Sequence, residues 1–185
     1  MTHAAIRETA GADERRVHVV QGQYYVSDDP STVLTTVLGS CVTACMRDPV
    51  AGVGGMNHFL LPGDRNSDGL RYGVNAMELL INGLLRRGAS RGRLEAKLFG
   101  GARVVRGLSD VGRQNASFAQ RYLDDEHIIN LGGSLGGEQA RRIQFWPASG
   151  RVRQLFLPAE AADVIETERP IAAGPAEDDG AVELF

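Results

Sequence analysis

Cys41 and His58 are the two residues whose types and spacing suggest chemistry. An imidazole beside a thiol helps it ionise, and the thiolate can attack a carbonyl carbon; the imidazolium can then return the proton to a leaving amine. Between them lies Arg47-Asp48-Pro49-Val50-Ala51, in which Asp48 and Pro49 suit the first two positions of a turn. A hairpin closed by Asp48 and Ala51 sets Cys41 directly opposite His58, with Cβ atoms about 5 Å apart. A register slip, or a bulge in the glycine-rich second strand, breaks that pairing, and Pro49-Val50 lacks the positive-φ residues that two-residue hairpins prefer. Gly39 and Ser40 precede the cysteine, so backbone N–H groups there are candidates for an oxyanion hole. A third group usually orients the base, and Thr35 and Thr36 are close in sequence. A straight strand would hold Thr35 roughly 20 Å from Cys41. Thr35 therefore takes part only if the chain reverses at Leu38-Gly39-Ser40, which Gly39 permits.

The same residues have blander readings. A buried cysteine can be an inert small hydrophobe, and a single histidine on a strand can be a hydrogen-bonded structural residue. Cys45 has no matching base in the hairpin register. On one strand the two cysteines would stand about 13 Å apart, beyond disulfide reach, so both are expected to be free thiols. A zinc site could draw on Cys41, Cys45 and His58, with His3, His18 or His127 as a distant fourth ligand, but no paired Cys-x-x-Cys supports it and no metal is expected. The pairs Gly100-Gly101, Gly132-Gly133 and Gly136-Gly137 precede no Gly-Lys-Ser or Gly-Lys-Thr and read as turns.

The elements that must position these groups are legible in part. Val17 to Val26 reads as one strand, or two broken at Gly22. Val33–Leu38, Cys41–Met46 and Ala51–Phe59 read as strands, as do Leu94–Phe99, Ile128–Leu131, Arg142–Trp146 and Val152–Leu157. Pro147-Ala148-Ser149-Gly150 is a hairpin turn between the last two. Tyr72–Arg87 places Val74, Met77, Leu80, Ile81, Leu84 and Leu85 at helical spacing, with Gly88 as its cap. Asn115–Asp125 is a second helix. The expected class is α/β, an α+β-like layered sandwich of mixed, largely antiparallel sheets with two main helices packed against them.

The 185 residues suffice for one ordinary core, and a net charge of −3 gives no basic excess that would favour nucleic acid. No apolar run could span a bilayer, so no membrane insertion is expected. Residues 1–16 read as a flexible polar leader without a secretory core, which places the protein in the cytoplasm. Residues 17–157 carry the folded domain. Residues 158–185 are acidic and rich in Ala, Pro and Gly, and read as a disordered tail.

Thr35 to Pro62, TTVLGSCVTACMRDPVAGVGGMNHFLLP, resembles the signature of the CheD family of chemoreceptor glutamine deamidases. Tyr72 to Leu85 is similar to that family's first long helix, and Leu98-Phe99-Gly100-Gly101-Ala102 to its strand and glycine turn. Val111-Gly112-Arg113-Gln114-Asn115 resembles the motif opening its next helix, and Leu135-Gly136-Gly137 with Arg141-Arg142-Ile143-Gln144-Phe145 its final strand region, ahead of Gly150-Arg151-Val152. Ala140 stands where the family commonly has Gly, and Ser134 where an acidic residue is common. The resemblance implies an α/β layered fold and hydrolysis of glutamine carboxamides on the cytoplasmic helices of chemoreceptors, through a cysteine thioester and without a cofactor. It maps the nucleophile to Cys41, the base to His58 and the orienting threonine to Thr35. It also implies action on glutamyl methyl esters in some members, and a CheC-type phosphatase as a partner of some. The alternative is a non-catalytic module that docks to such a phosphatase or receptor with Cys41 idle.

Overall fold

The computed structural model describes residues 14–61, 67–103 and 111–158. The acidic tail beyond Pro158 and the first 13 residues of the polar leader lie outside them. The elements follow as β1 (Arg15–His18), β2 (Tyr24–Ser27), β3 (Thr32–Leu38), β4 (Val42–Asp48), β5 (Val53–Asn57), α1 (Ser67–Arg86), a 3-10 turn (Arg91–Arg93), β6 (Glu95–Gly100), α2 (Val111–Asp125), β7 (Ile129–Leu135), β8 (Arg141–Trp146) and β9 (Arg151–Phe156). The segment Val17–Val26 is two strands, parted at Gln21-Gly22, and they join different sheets. β1 starts inside the stretch read as leader, because Arg15 and Arg16 pair with Thr32 and Val33.

A four-stranded sheet runs β1-β3-β8-β9 and a five-stranded sheet runs β2-β5-β4-β6-β7. The pairings are antiparallel except β1 with β3 and β6 with β7. The second exception is the parallel pair that α2 connects, as a crossover must. Both helices cover one face of the five-stranded sheet. Met77, Leu80, Ile81 and Leu84 of α1 and Phe118, Ala119 and Leu123 of α2 pack there with Val42, Ala44 and Met46 of β4. Val74 of the α1 pattern is instead 40% exposed. The other face packs on the four-stranded sheet: Cys45, Met56 and Phe99 meet Leu34, Leu38, Ile143 and Phe145. The result is three layers, helices on sheet on sheet, the mixed and largely antiparallel sandwich expected from the sequence. Alternation along β4 assigns even residues to the helices and odd residues to the second sheet. Of the two departures from the family pattern, Ala140 is buried and Ser134 accepts hydrogen bonds from the fully buried Arg141 through its carbonyl and hydroxyl oxygens.

The β4–β5 connection departs from the expected hairpin. Asp48 pairs with Val53, so Pro49–Gly52 form a four-residue loop and the register is two residues from the one predicted. Pro49 and Val50 cannot supply the positive φ of a two-residue turn. Gly52 does, at φ +67°, and its N–H bonds to the Asp48 carbonyl. The Asp48 carboxylate is fully buried and accepts from the N–H groups of Val50, Ala51 and Ser90 and from the Arg93 guanidinium. These bonds, the Arg93 pair foremost, hold its carboxyl well below the usual carboxylate range. Because the folded value is lowered, the stabilisation is complete at neutral pH and is lost as pH falls below about 4, the unfolded value. Asp48→Ala is expected to cost about 2–4 kcal/mol in urea unfolding at pH 7. The difference from wild type should shrink toward pH 3; a constant difference would refute the assigned ionic role.

Candidate active site

The site lies between the two sheets, where the chain leaves β3 and enters β4. β3 ends at Leu38, and the bend at Gly39-Ser40 carries Cys41 across to the five-stranded sheet. Three consecutive carbonyls of this crossing are tied down. Gly39 O accepts from Ala102 N at 2.9 Å, Ser40 O from Asn115 Nδ2 at 2.9 Å, and Cys41 O from Gly101 N at 2.8 Å. The glycine turn after β6 makes the close approach possible: Gly100 sits at φ +108°, and a Cβ there would lie 2.1 Å from Cys41 O.

His58 follows β5. Its backbone N–H bonds to Gln23 O and its carbonyl accepts from Gly22 N, which fastens it to the β1–β2 connection. Cys41 and His58 are not directly opposed, as the sequence reading expected. The bridge between Val42 and Phe59 continues the observed register, which leaves Cys41 diagonal to His58. A two-residue slip preserves the face on which each side chain projects, whereas a slip of one would have reversed it. Both residues therefore still face the second sheet.

The imidazole is 8% exposed. Its Nδ1 lies 2.9 Å from Thr36 Oγ1 and 3.3 Å from Val19 O. Thr36 Oγ1 also donates to Val19 O at 2.8 Å. With the hydroxyl proton committed to that carbonyl, Thr36 Oγ1 can only accept from the ring, and Val19 O can only accept from anything. Nδ1 therefore carries the hydrogen, and Nε2 presents a lone pair. That Nε2 is buried and has no hydrogen-bond partner among the described residues.

Thr36, not Thr35, thus stands on His58. In β3 the residues that face the five-stranded sheet are Leu34, Thr36 and Leu38, and Thr35 projects from the opposite face. The reversal required at Leu38-Gly39-Ser40 is present, but alternation hands the inward position to the next residue.

Cys41 is partly exposed and Cys45 is buried, and both are free thiols. The Cys41 thiol donates to Gln21 Oε1 at 3.6 Å, within the range for sulfur, and not to the imidazole. Burial pushes the Cys41 thiol up to about 11, against a smaller lowering by its own backbone N–H. Burial likewise holds His58 down to about 4, with the Val19 carbonyl acting in the opposite sense and nearby His18 in the same. Both shifts favour a neutral thiol and a neutral imidazole in the site as it stands. Among the described residues no three His, Cys, Asp or Glu side chains gather as metal ligands.

The family model described as "CheD chemotactic sensory transduction" matches residues 60–155. A probable chemoreceptor glutamine deamidase CheD of Caulobacter sp. strain K31 is 58% identical over 175 residues, spanning 92% of this chain and 93% of the relative. A protein of the same designation from Rhizobium leguminosarum bv. trifolii is 55% identical over 183 residues, spanning 96% and 99%. The chain belongs to the CheD family. Among solved structures, protein NMB0706 of Neisseria meningitidis is similar over 65% of this chain and 63% of its own, at 10% identity and a TM-score of 0.43.

Against that CheD membership, two site residues stand out that the sequence reading passed over. Gln21 lies in the turn between β1 and β2, and nothing in a Gln-Gly-Gln turn signals a contact with a thiol twenty residues away. Asn115 sits inside α2, fully buried, where its type disfavours helix; a polar residue on the apolar side of a helix was the available signal.

The geometry orders the two thiols. Iodoacetamide at pH 8 should alkylate Cys41 while sparing Cys45 until the protein unfolds, with the Cys41 rate climbing toward about pH 11. His58 should remain neutral down to about pH 4 when followed by NMR. A Cys41 rate already saturated at pH 7 would overturn the neutral resting pair.

Proposed function

We propose that the protein is a protein-glutamine glutaminase that hydrolyses glutamine side chains of chemoreceptors to glutamate, with Cys41 as nucleophile and His58 as general base and acid. The observation that carries this reading is the His58 ring, tied at Nδ1 and bare at Nε2, on the face shared with the partly exposed Cys41 in a CheD chain. The names of the relatives supply the substrate class.

The incoming carboxamide displaces that of Gln21 from the thiol. Cys41 Sγ attacks the substrate Cδ as its proton passes to His58 Nε2. Thr36 Oγ1 and Val19 O stabilise the imidazolium by accepting from Nδ1–H. The oxyanion is received by backbone N–H groups of the Gly39-Ser40-Cys41 crossing. The C–N bond breaks, the leaving nitrogen takes the proton from Nε2, and ammonia departs from the thioester. Water, deprotonated by His58, attacks the thioester carbon. The C–S bond breaks, the thiol regains its proton, and glutamate is released. The balance is one water consumed and one ammonia formed, with no cofactor.

Residues 17–157 form the deamidase domain in this reading, and the receptor's cytoplasmic helices place its work in the cytoplasm. A CheC-type phosphatase is a further partner suggested by the family resemblance. Among the described residues no helix is long and apolar enough to cross a membrane.

The test is ammonia release and a one-dalton mass gain on a glutamine-bearing receptor fragment. Cys41→Ala and His58→Ala should each lower the rate at least about a thousandfold while leaving the fold intact. Thr36→Val should lower kcat about 10- to 100-fold, and Thr35→Val by less than about threefold. Full activity in Cys41→Ala would refute the nucleophile and favour a docking module. The reverse order of the two threonines would return the orienting role to Thr35.

A further inference from the structure

Asn115 is the only residue of α2 that bonds to both halves of the site among the described contacts. Its Nδ2 donates to Ser40 O at 2.9 Å and its Oδ1 accepts from Leu61 N at 2.9 Å. The side chain is fully buried, so neither bond is shared with solvent. One partner immediately precedes the nucleophile, and the other lies three residues beyond the base.

The bond to Ser40 O has a consequence through the peptide plane. Ser40 C=O and Cys41 N–H belong to one rigid planar unit and point in opposite directions. Holding the carbonyl toward α2 turns the Cys41 N–H away from α2. The neighbouring planes are set in the same way. Ala102 N holds Gly39 O, which fixes the Ser40 N–H, and Gly101 N holds Cys41 O. Among the described residues neither the Ser40 nor the Cys41 N–H donates to another backbone carbonyl, whereas the Val42 N–H is taken by Phe59 O. Two successive amides beside the nucleophile are thus oriented by their carbonyls and left available as donors.

We infer that Asn115 is a positioning residue for the oxyanion hole: by gripping Ser40 O it aims the Cys41 N–H at the oxygen that becomes negative when the thiol attacks. The donation from a buried amide also polarises the Ser40–Cys41 peptide, which makes its N–H a stronger donor. The inference rests on the deamidase reading above and deepens it. It concerns only the step in which an oxyanion forms.

That restriction supplies the test. Alkylation of Cys41 by iodoacetamide displaces iodide at a saturated carbon and builds no oxyanion, whereas deamidation must build one. Asn115→Ala is expected to lower kcat for the receptor glutamine at least tenfold with KM changed by less than about threefold, against the 10²–10³ typical of deleting a donor outright. The alkylation rate of Cys41 at pH 8 should stay within about threefold of wild type. Asn115→Asp keeps the acceptor for Leu61 N and has a donor for Ser40 O only when protonated. Its kcat relative to wild type should therefore rise as pH is lowered from about 8 to about 5. Parallel loss of deamidation and alkylation in Asn115→Ala, or unchanged kcat, would overturn the inference. If Asn115→Ala fails to fold, a flat relative profile for Asn115→Asp would do so. Wild-type protein inactive on every receptor glutamine would overturn the functional reading itself, and this inference with it.

Discussion

The hydroxyl of Thr36 links the two sheets at the point where the chemistry is proposed. It belongs to the four-stranded sheet, and the imidazole it meets directly follows β5 of the five-stranded one. Its own proton goes to Val19 O, so one small side chain decides both the tautomer and the tilt of the His58 ring. That arrangement needs β3 and β5 at a fixed separation, which the inter-sheet core of Leu34, Leu38, Met56, Phe99, Ile143 and Phe145 maintains. A packed interior resists the sub-ångström shifts that would otherwise loosen the hydrogen bond.

The helices act at a further remove. They cover the opposite face of the five-stranded sheet, and Asn115 of α2 bonds to the crossing that carries Cys41 into β4. The crossing itself has no regular structure. Its shape is set by carbonyls held from outside, by Ala102 N, Gly101 N and Asn115 Nδ2. Loops that carry chemistry on a rigid scaffold commonly keep their backbone donors for ligands, and the cost is that the acceptors must be satisfied elsewhere. Burial favours the neutral form of both the thiol and the imidazole, and the Cys41 proton is directed to Gln21 rather than to His58. A neutral thiol is less open to adventitious alkylation and oxidation than a standing thiolate.

Much of this was legible in the chain. That Pro49-Val50 suits a two-residue turn poorly was visible, though the four-residue loop that replaces it was not, and the helical spacing of Met77, Leu80, Ile81 and Leu84 identified the face of α1 that packs on the sheet. Cys41 and His58 share a face because strand alternation has period two, so an error of two residues in the register did not separate them. The threonine did not enjoy that protection. Thr35 and Thr36 differ by one position, and one position is the difference between the two faces of β3.

What the sequence determined by itself is the set of candidate residue types and the elements that bear them: a thiol after Gly39-Ser40, an imidazole one hairpin later, and strands and helices in an order that makes layers. These depend on local propensity and on periodicity, which are properties of neighbouring residues. Only the tertiary structure decided which threonine meets the ring, that Gln21 holds the thiol, and that Asn115 grips the crossing. Those contacts join residues from 20 to 75 positions apart across two sheets and a helix. Their geometry comes from the packing of whole layers, and no local pattern carries it.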